Sequence, residues 1–125
     1  MVALGSRLHI FSQPAQYEAM RTFCGDVLGC NVVERSFDGM EFPVMLVLAD
    51  QGAFSIEFRR DAPDPSAPSY GTWIEFVVPD REVMQQRLRD AGTSEFRHPG
   101  SAHDYFRMPN GQVFRVLTED QLSAP

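Results

Sequence analysis

Three histidines, two cysteines and a scatter of carboxylates are the side chains of this 125-residue chain that could hold a metal, move a proton or attack a substrate. Cys24 and Cys30 stand farther apart than the Cys-x-x-Cys of chelating and redox pairs, and there is no third cysteine. Both read as small buried apolar residues. No serine sits in a nucleophile elbow and no glycine loop is built to cradle phosphate, so nothing supports covalent catalysis or phosphate chemistry. What remains is acid–base and coordination chemistry. Glu75 follows Trp73 by two residues and shares its face of a strand, and His103 and Tyr105 are related in the same way. An acid–base centre using His9 or Glu57 with Tyr105 is within reach of these residue types. His98, in Arg-His-Pro-Gly, reads as an exposed turn residue.

The elements that must position these groups come in two copies of one plan. In the first copy a strand over residues 7–11 leads through Pro14 into a helix with Tyr17, Met20, Cys24, Val27 and Leu28 as its buried stripe; Gly29 stops it. Strands follow over 31–36, 44–49 and 54–59, with a hairpin turn at Asp50-Gln51-Gly52. The loop 37–43 carries exposed Phe37, Met40 and Phe42. In the second copy a strand over 73–78 precedes a helix capped by Asp80 and stopped by Gly92, with Val83, Met84, Leu88 and Ala91 as its inner stripe. Strands over 94–96, 103–108 and 112–117 complete it, the last two joined at Pro109-Asn110-Gly111. Residues 60–71, with three prolines and no periodicity, read as a linker, and 118–125 as a frayed tail. The order is βαβββ twice: unit one spans about 5–59 and unit two about 72–118 of a single 1–125 domain. A repeat of this kind is a fold-level signal.

Bulk composition narrows the partners. Eleven basic residues, all arginine, against seventeen acidic ones leave a net charge of -6. That argues against nucleic acid, whose binding rests on clustered cations, and mildly favours a neutral or cationic ligand. No apolar run is long enough to span a bilayer, and the first residues lack the basic-then-apolar pattern of a secretory leader, so a cytoplasmic protein without membrane partners is expected.

The motifs Phe23-Cys24-Gly25-Asp26-Val27-Leu28-Gly29, Trp73-Ile74-Glu75-Phe76, Leu88-Arg89-Asp90-Ala91-Gly92 and Met108-Pro109-Asn110-Gly111 stand in the order and spacing of a known group. They resemble Phe-Tyr-x-x-x-Leu-Gly, His-Ile-Ala-Phe, Leu-x-x-Ala-Gly and Asp-Pro-Asp-Gly of the vicinal oxygen chelate superfamily, which includes glyoxalase I, the bleomycin-resistance proteins, fosfomycin-modifying enzymes and extradiol dioxygenases. The resemblance covers about residues 7–117. It implies an α+β fold in which two βαβββ units form a curved mixed eight-stranded sheet around a cavity, with two chains pairing as a homodimer. It also implies four metal-ligand positions, which fall on His9, Glu57, Trp73 and Arg115. Tyr105 falls where fosfomycin-modifying relatives carry a cavity tyrosine.

Only His9 and Glu57 keep the ligand pattern. An indole offers no lone pair, and a permanently charged guanidinium repels a cation. The expectation is therefore a protein without cofactor, in which Arg115 stands in for the ion and pairs with Glu57 beside His9. Trp73, Tyr105, Phe37 and Phe42 would then wall a pocket that sequesters a planar or cationic, antibiotic-like small molecule. The alternative is a divalent-metal-dependent lyase, isomerase or dioxygenase using a displaced set, His9, Glu57, Glu75 and His103, with Tyr105 or Glu57 in catalysis.

Overall fold

The computed structural model describes residues 1–67 and 71–122. The chain divides into two compact units, Met1–Pro65 and Ser66–Pro125. The boundary falls inside the expected linker, of which residues 68–70 lie outside the described part. Among the described residues no helix is long and apolar enough to cross a membrane.

Unit 1 runs β1 (Arg7–Ser12), a 3-10 turn (Pro14–Gln16), α1 (Tyr17–Thr22), a wider π turn (Phe23–Val27), β2 (Asn31–Arg35), β3 (Val44–Leu48) and β4 (Ala53–Phe58). The single expected helix is thus three turns of different pitch. Leu28 N–H reaches back to the Phe23 carbonyl, and Gly29 takes the left-handed φ of 74° that ends the segment. The four strands form a mixed sheet ordered β1-β4-β3-β2, with β1 parallel to β4. Strand alternation turns Ile10, Phe54, Ile56, Phe58, Met45 and Val47 inward with Met20, Phe23 and Cys24. His9, Phe11, Ser55 and Glu57 fall in the opposite phase. Gly52 is needed for close approach: a Cβ there would meet the Ser6 carbonyl oxygen at 2.9 Å, where Ala53 N–H docks.

Both cysteines are free, and burial pushes the Cys24 thiol up to about 12, as suits an apolar core residue. The first linker residues belong to unit 1, because Gln13 Nε2 donates to the Ala62 carbonyl and Ala62 N–H to the Arg59 carbonyl.

Unit 2 repeats the plan with β5 (Ile74–Val77), α2 (Arg81–Asp90), β6 (Ser94–Phe96), β7 (Tyr105–Arg107), β8 (Val113–Leu117) and a short α3 (Glu119–Leu122), its sheet ordered β5-β8-β7-β6. The eight expected strands are therefore hydrogen-bonded as two mixed sheets of four, in an α+β chain. The Asp80 side chain accepts from Val83 N–H and sets where α2 begins.

That start turns the helix away from the expected stripe. Val83 is 64% exposed and Ala91 also faces solvent, whereas Gln85 and Leu88 are buried. β7 is shorter than expected because its ladder with β6 opens at Phe96 and Tyr105. His103 therefore lies in the preceding loop and does not share a strand face with Tyr105. The Thr118 carbonyl receives the N–H groups of Gln121 and Leu122, so Glu119–Leu122 is helical rather than frayed; residues 123–125 lie outside the described part. Buried Phe106 and Phe114 stack in the core, and half-buried Phe76 meets Phe114 edge-on.

Candidate functional site

In unit 1 the parallel register sets His9 beside Ser55 and Phe11 beside Glu57. His9 leans two residues along to reach Glu57, with Nε2 3.0 Å from Oε1, while Ser55 Oγ meets Nδ1. A carboxylate only accepts, so Nε2 carries a proton toward Glu57, while the Ser55 hydroxyl, which can donate or accept, bonds Nδ1. Arg59 Nη1 donates to the other Glu57 oxygen at 3.2 Å. The hydrogen bond from His9, then that from Arg59, hold the Glu57 carboxyl below the usual carboxylate range against the opposing effect of burial. The His9 imidazole is 43% exposed and the Glu57 side chain 19%. Phe11 meets the imidazole edge-on at 5.1 Å.

A cleft of about 280 Å³ opens beside Glu57, lined by Gly39, Met40, Glu41 and residues 58–61. Its rim is tied down. Arg60 clamps Glu41 with two nitrogens, the shorter contact 2.6 Å, and its guanidinium lies 5.3 Å from the centre of the Phe42 ring. Phe42 is thus already in contact with a cation of the chain itself. Phe37 is 54% exposed.

In unit 2 the register pairs Glu75 on β5 with Arg115 on β8. Arg115 Nε donates to Glu75 Oε2 at 2.6 Å, and Trp73 Nε1 reaches the same oxygen at 3.4 Å. Within unit 1 Glu57 is held by His9 and Arg59, and within unit 2 Arg115 is held by Glu75. The reason lies in the repeat. Phe11 is the register partner of Glu57, and its counterpart in the second unit is Glu75, so Arg115 meets an acid directly across the ladder.

Trp73 stands just before β5, 43% exposed, and its ring meets Tyr105 at 5.4 Å and His98 at 5.7 Å, both edge-on. Tyr105 is buried, contacts His98 and Phe96, and points its hydroxyl at Ser101 Oγ, 3.4 Å away. His98 is therefore half-buried against two aromatic rings, not the exposed turn residue expected.

Trp73, Glu75, Tyr105 and Arg115 thus assemble in unit 2, and His9 with Glu57 in unit 1. His103 is exposed, and its hydrogen bond among the described residues is made through its backbone, to Ser101 Oγ. The residues missed in sequence are Ser55, Arg59 and His98. Ser55 and Arg59 were legible, since they alternate with Glu57 along one strand face; His98, in a loop, obeys no period.

Among the described residues no three His, Cys, Asp or Glu side chains gather as a metal ion requires. At the four implied ligand positions Trp73 has no lone pair, Arg115 is a cation, and the His9 and Glu57 donors are bonded to each other. These residues do not fit an ordinary divalent site.

A scan of protein-family models finds no match, and neither does a search of curated proteins. Solved structures do match. Glyoxalase I of Leishmania major superposes with a TM-score of 0.74 at 10% identity, over 97% of this chain and 90% of that one. The fosfomycin-resistance protein FosX of Listeria monocytogenes gives 0.71 at 14% identity over the full length of both. A glyoxalase/bleomycin resistance protein from Streptomyces gives 0.60 at 15%, over 90% and 98%. The chain therefore has the fold of the vicinal oxygen chelate superfamily, as its motifs imply.

Proposed function

We propose that the protein is a metal-free small-molecule binder that captures a planar or cationic, antibiotic-like compound rather than transforming it. The observation that carries this reading is the shared Glu75 carboxylate, which receives both Arg115 and Trp73 at positions where a metal enzyme needs lone-pair donors. The pair fixes a polar end beside a half-exposed indole backed by Tyr105 and His98. Such a wall suits stacking of a flat ring or cation. The similarity to a glyoxalase/bleomycin resistance protein supports capture by analogy of fold. The working form is a homodimer in the cytoplasm, for which the exposed Leu8, Phe11, Leu48 and Val77 supply apolar surface.

Trp73 is the single tryptophan, so its fluorescence reports the site directly. Titration with bleomycin, with fosfomycin as the small anionic comparator, should give saturable quenching by the former at about one equivalent per chain. Mass spectrometry of the released compound should return it unchanged. Consumption of the compound, or near-stoichiometric zinc, nickel, manganese or iron in the purified protein, would overturn the reading.

The second reading is a divalent-metal lyase, isomerase or dioxygenase. It is favoured by the retained His9 and Glu57 and by the likeness to glyoxalase I. It requires metal uptake that Glu75→Ala or His103→Ala abolishes.

A further inference from the structure

A serine hydroxyl, an imidazole and a carboxylate are linked in series on the sheet of unit 1. His9 on β1 has Ser55 Oγ within hydrogen-bond reach of Nδ1, and Glu57 Oε1 lies 3.0 Å from Nε2. The parallel register brings this about. His9 stands directly across from Ser55, and Glu57, two residues on, projects from the same face of β4. No sequence motif announces the series, because Ser55 and His9 are 46 residues apart. The second unit has Trp73, Val113 and Arg115 at the corresponding places and cannot form it.

The linkage is more than burial demands. A polar group shut away from water needs partners, but this imidazole is 43% exposed and water would satisfy it. Instead both ring nitrogens are held. Glu57 is in turn fixed at its other oxygen by Arg59 Nη1 at 3.2 Å. With Nε2–H directed at the carboxylate, the neutral ring offers Nδ1 as an acceptor, and the Ser55 hydroxyl is the donor beside it. Nucleophile to base, and base to an orienting acid, are the two contacts that acyl transfer through serine requires. Phe11, half-exposed and edge-on to the imidazole, gives an aryl group an apolar surface beside them.

We propose that unit 1 carries an esterolytic activity, separate from the Trp73–Tyr105 wall, in which an aryl ester acylates Ser55 with His9 as the base and Glu57 as the positioning residue. Ser55 Oγ attacks the ester carbonyl carbon as its proton passes to His9 Nδ1. The tetrahedral adduct then expels the phenol, which leaves with that proton, and an acyl-serine remains. Water attacks the acyl carbon, giving a proton to Nδ1; the carboxylic acid departs and the proton returns to Oγ. The net reaction is ester plus water to acid plus phenol. Among the described residues no pair of donors is fixed beside Ser55 to hold the oxyanion, a lack that costs about 10²- to 10³-fold in rate. The substrate class is therefore esters with a good leaving group.

The test uses the full chain and p-nitrophenyl acetate, with a chelator present throughout so that no bound metal can do the work. p-Nitrophenolate should appear in a burst of about one equivalent per chain, followed by slower turnover. Peptide mass spectrometry of the protein quenched during turnover should find one acetyl group, on Ser55. Ser55→Ala should remove both burst and label while leaving bleomycin titration of Trp73 unchanged, which separates this result from the fate of the capture reading. His9→Gln should slow the burst by about 100-fold, and serves alone should the first variant not fold. Glu57→Gln should lower kcat at least about tenfold with KM unchanged, a split that a merely structural role would not give. No burst, a burst that survives Ser55→Ala, or an acetyl group on His9 with none on Ser55 overturns the proposal.

Discussion

Breaking the Arg115–Glu75 pair tests the geometry on which the binding reading rests. Arg115→Met keeps most of the apolar stem and removes every donor, leaving Glu75 only the longer contact from Trp73 at 3.4 Å. The Arg115 side chain is 15% exposed and that of Glu75 34%, so the pair lies between the surface and the interior. Exposed pairs couple by about 0.2 to 1 kcal/mol, and removing one partner of a buried pair costs about 3 to 5 kcal/mol. Because Glu75 can turn partly to water, Arg115→Met should cost about 2 kcal/mol, of which about 1.5 kcal/mol is pairwise coupling. For a chain of this size that is a drop in Tm of about 7 °C.

The assay is a double-mutant cycle of Arg115→Met and Glu75→Gln, with urea unfolding read by far-ultraviolet circular dichroism. Trp73 fluorescence is unsuitable here, because the indole itself touches Glu75. High salt should shrink the coupling only modestly, since the guanidinium is mostly shielded from solvent. Coupling below about 0.5 kcal/mol would refute the claim that the arginine is held inside its own unit, and with it the polar end of the proposed pocket.

Glu57, whose folded pKa is depressed by His9 and Arg59, contributes stability that is present above its ordinary value of 4.5 and lost as pH falls through the lower folded value. Glu57→Gln should therefore flatten the stability profile below about pH 4.5 and leave it parallel to the parent at pH 7, as urea midpoints across that range would show. For the thiols the sign reverses: Cys24, raised to about 12 by burial, stays protonated in the folded state and adds stability that is lost as pH climbs from 9 toward 12. A thiol-reactive disulfide reagent at pH 8 should label less than one equivalent in the folded protein and both cysteines after denaturation. Asp80→Ala removes the acceptor for Val83 N–H and should cost about 1 kcal/mol in chemical unfolding, with no change in the Trp73 emission maximum.

The doubled plan was legible because strand and helix periods, proline starts and glycine stops are local. Gly29, Gly92 and Gly111 all adopt the positive φ that a stop or turn after them requires. The Asp80 cap and the membership of Trp73, Glu75, Tyr105 and Arg115 in the second unit were equally accessible. Boundaries were less so. The tail over Glu119–Leu122 is helical through hydrogen bonds to Thr118, and β7 ends where its neighbour does, neither of which a single stretch can show.

The pairing at the site depends on more than residue type. From the amino-acid order alone came an α+β repeat and the loss of two ligand types, since an indole and a guanidinium are poor metal donors wherever they sit. What the tertiary structure decided was who bonds to whom within each unit: parallel register puts Glu75 across from Arg115, and lets His9 lean onto Glu57. The phase of α2, set by one cap, decided that Gln85 rather than Val83 faces inward. Such choices turn on differences of a single residue in register or about 100° in helix phase. They are made by the neighbouring strand or cap, so no window of sequence contains them.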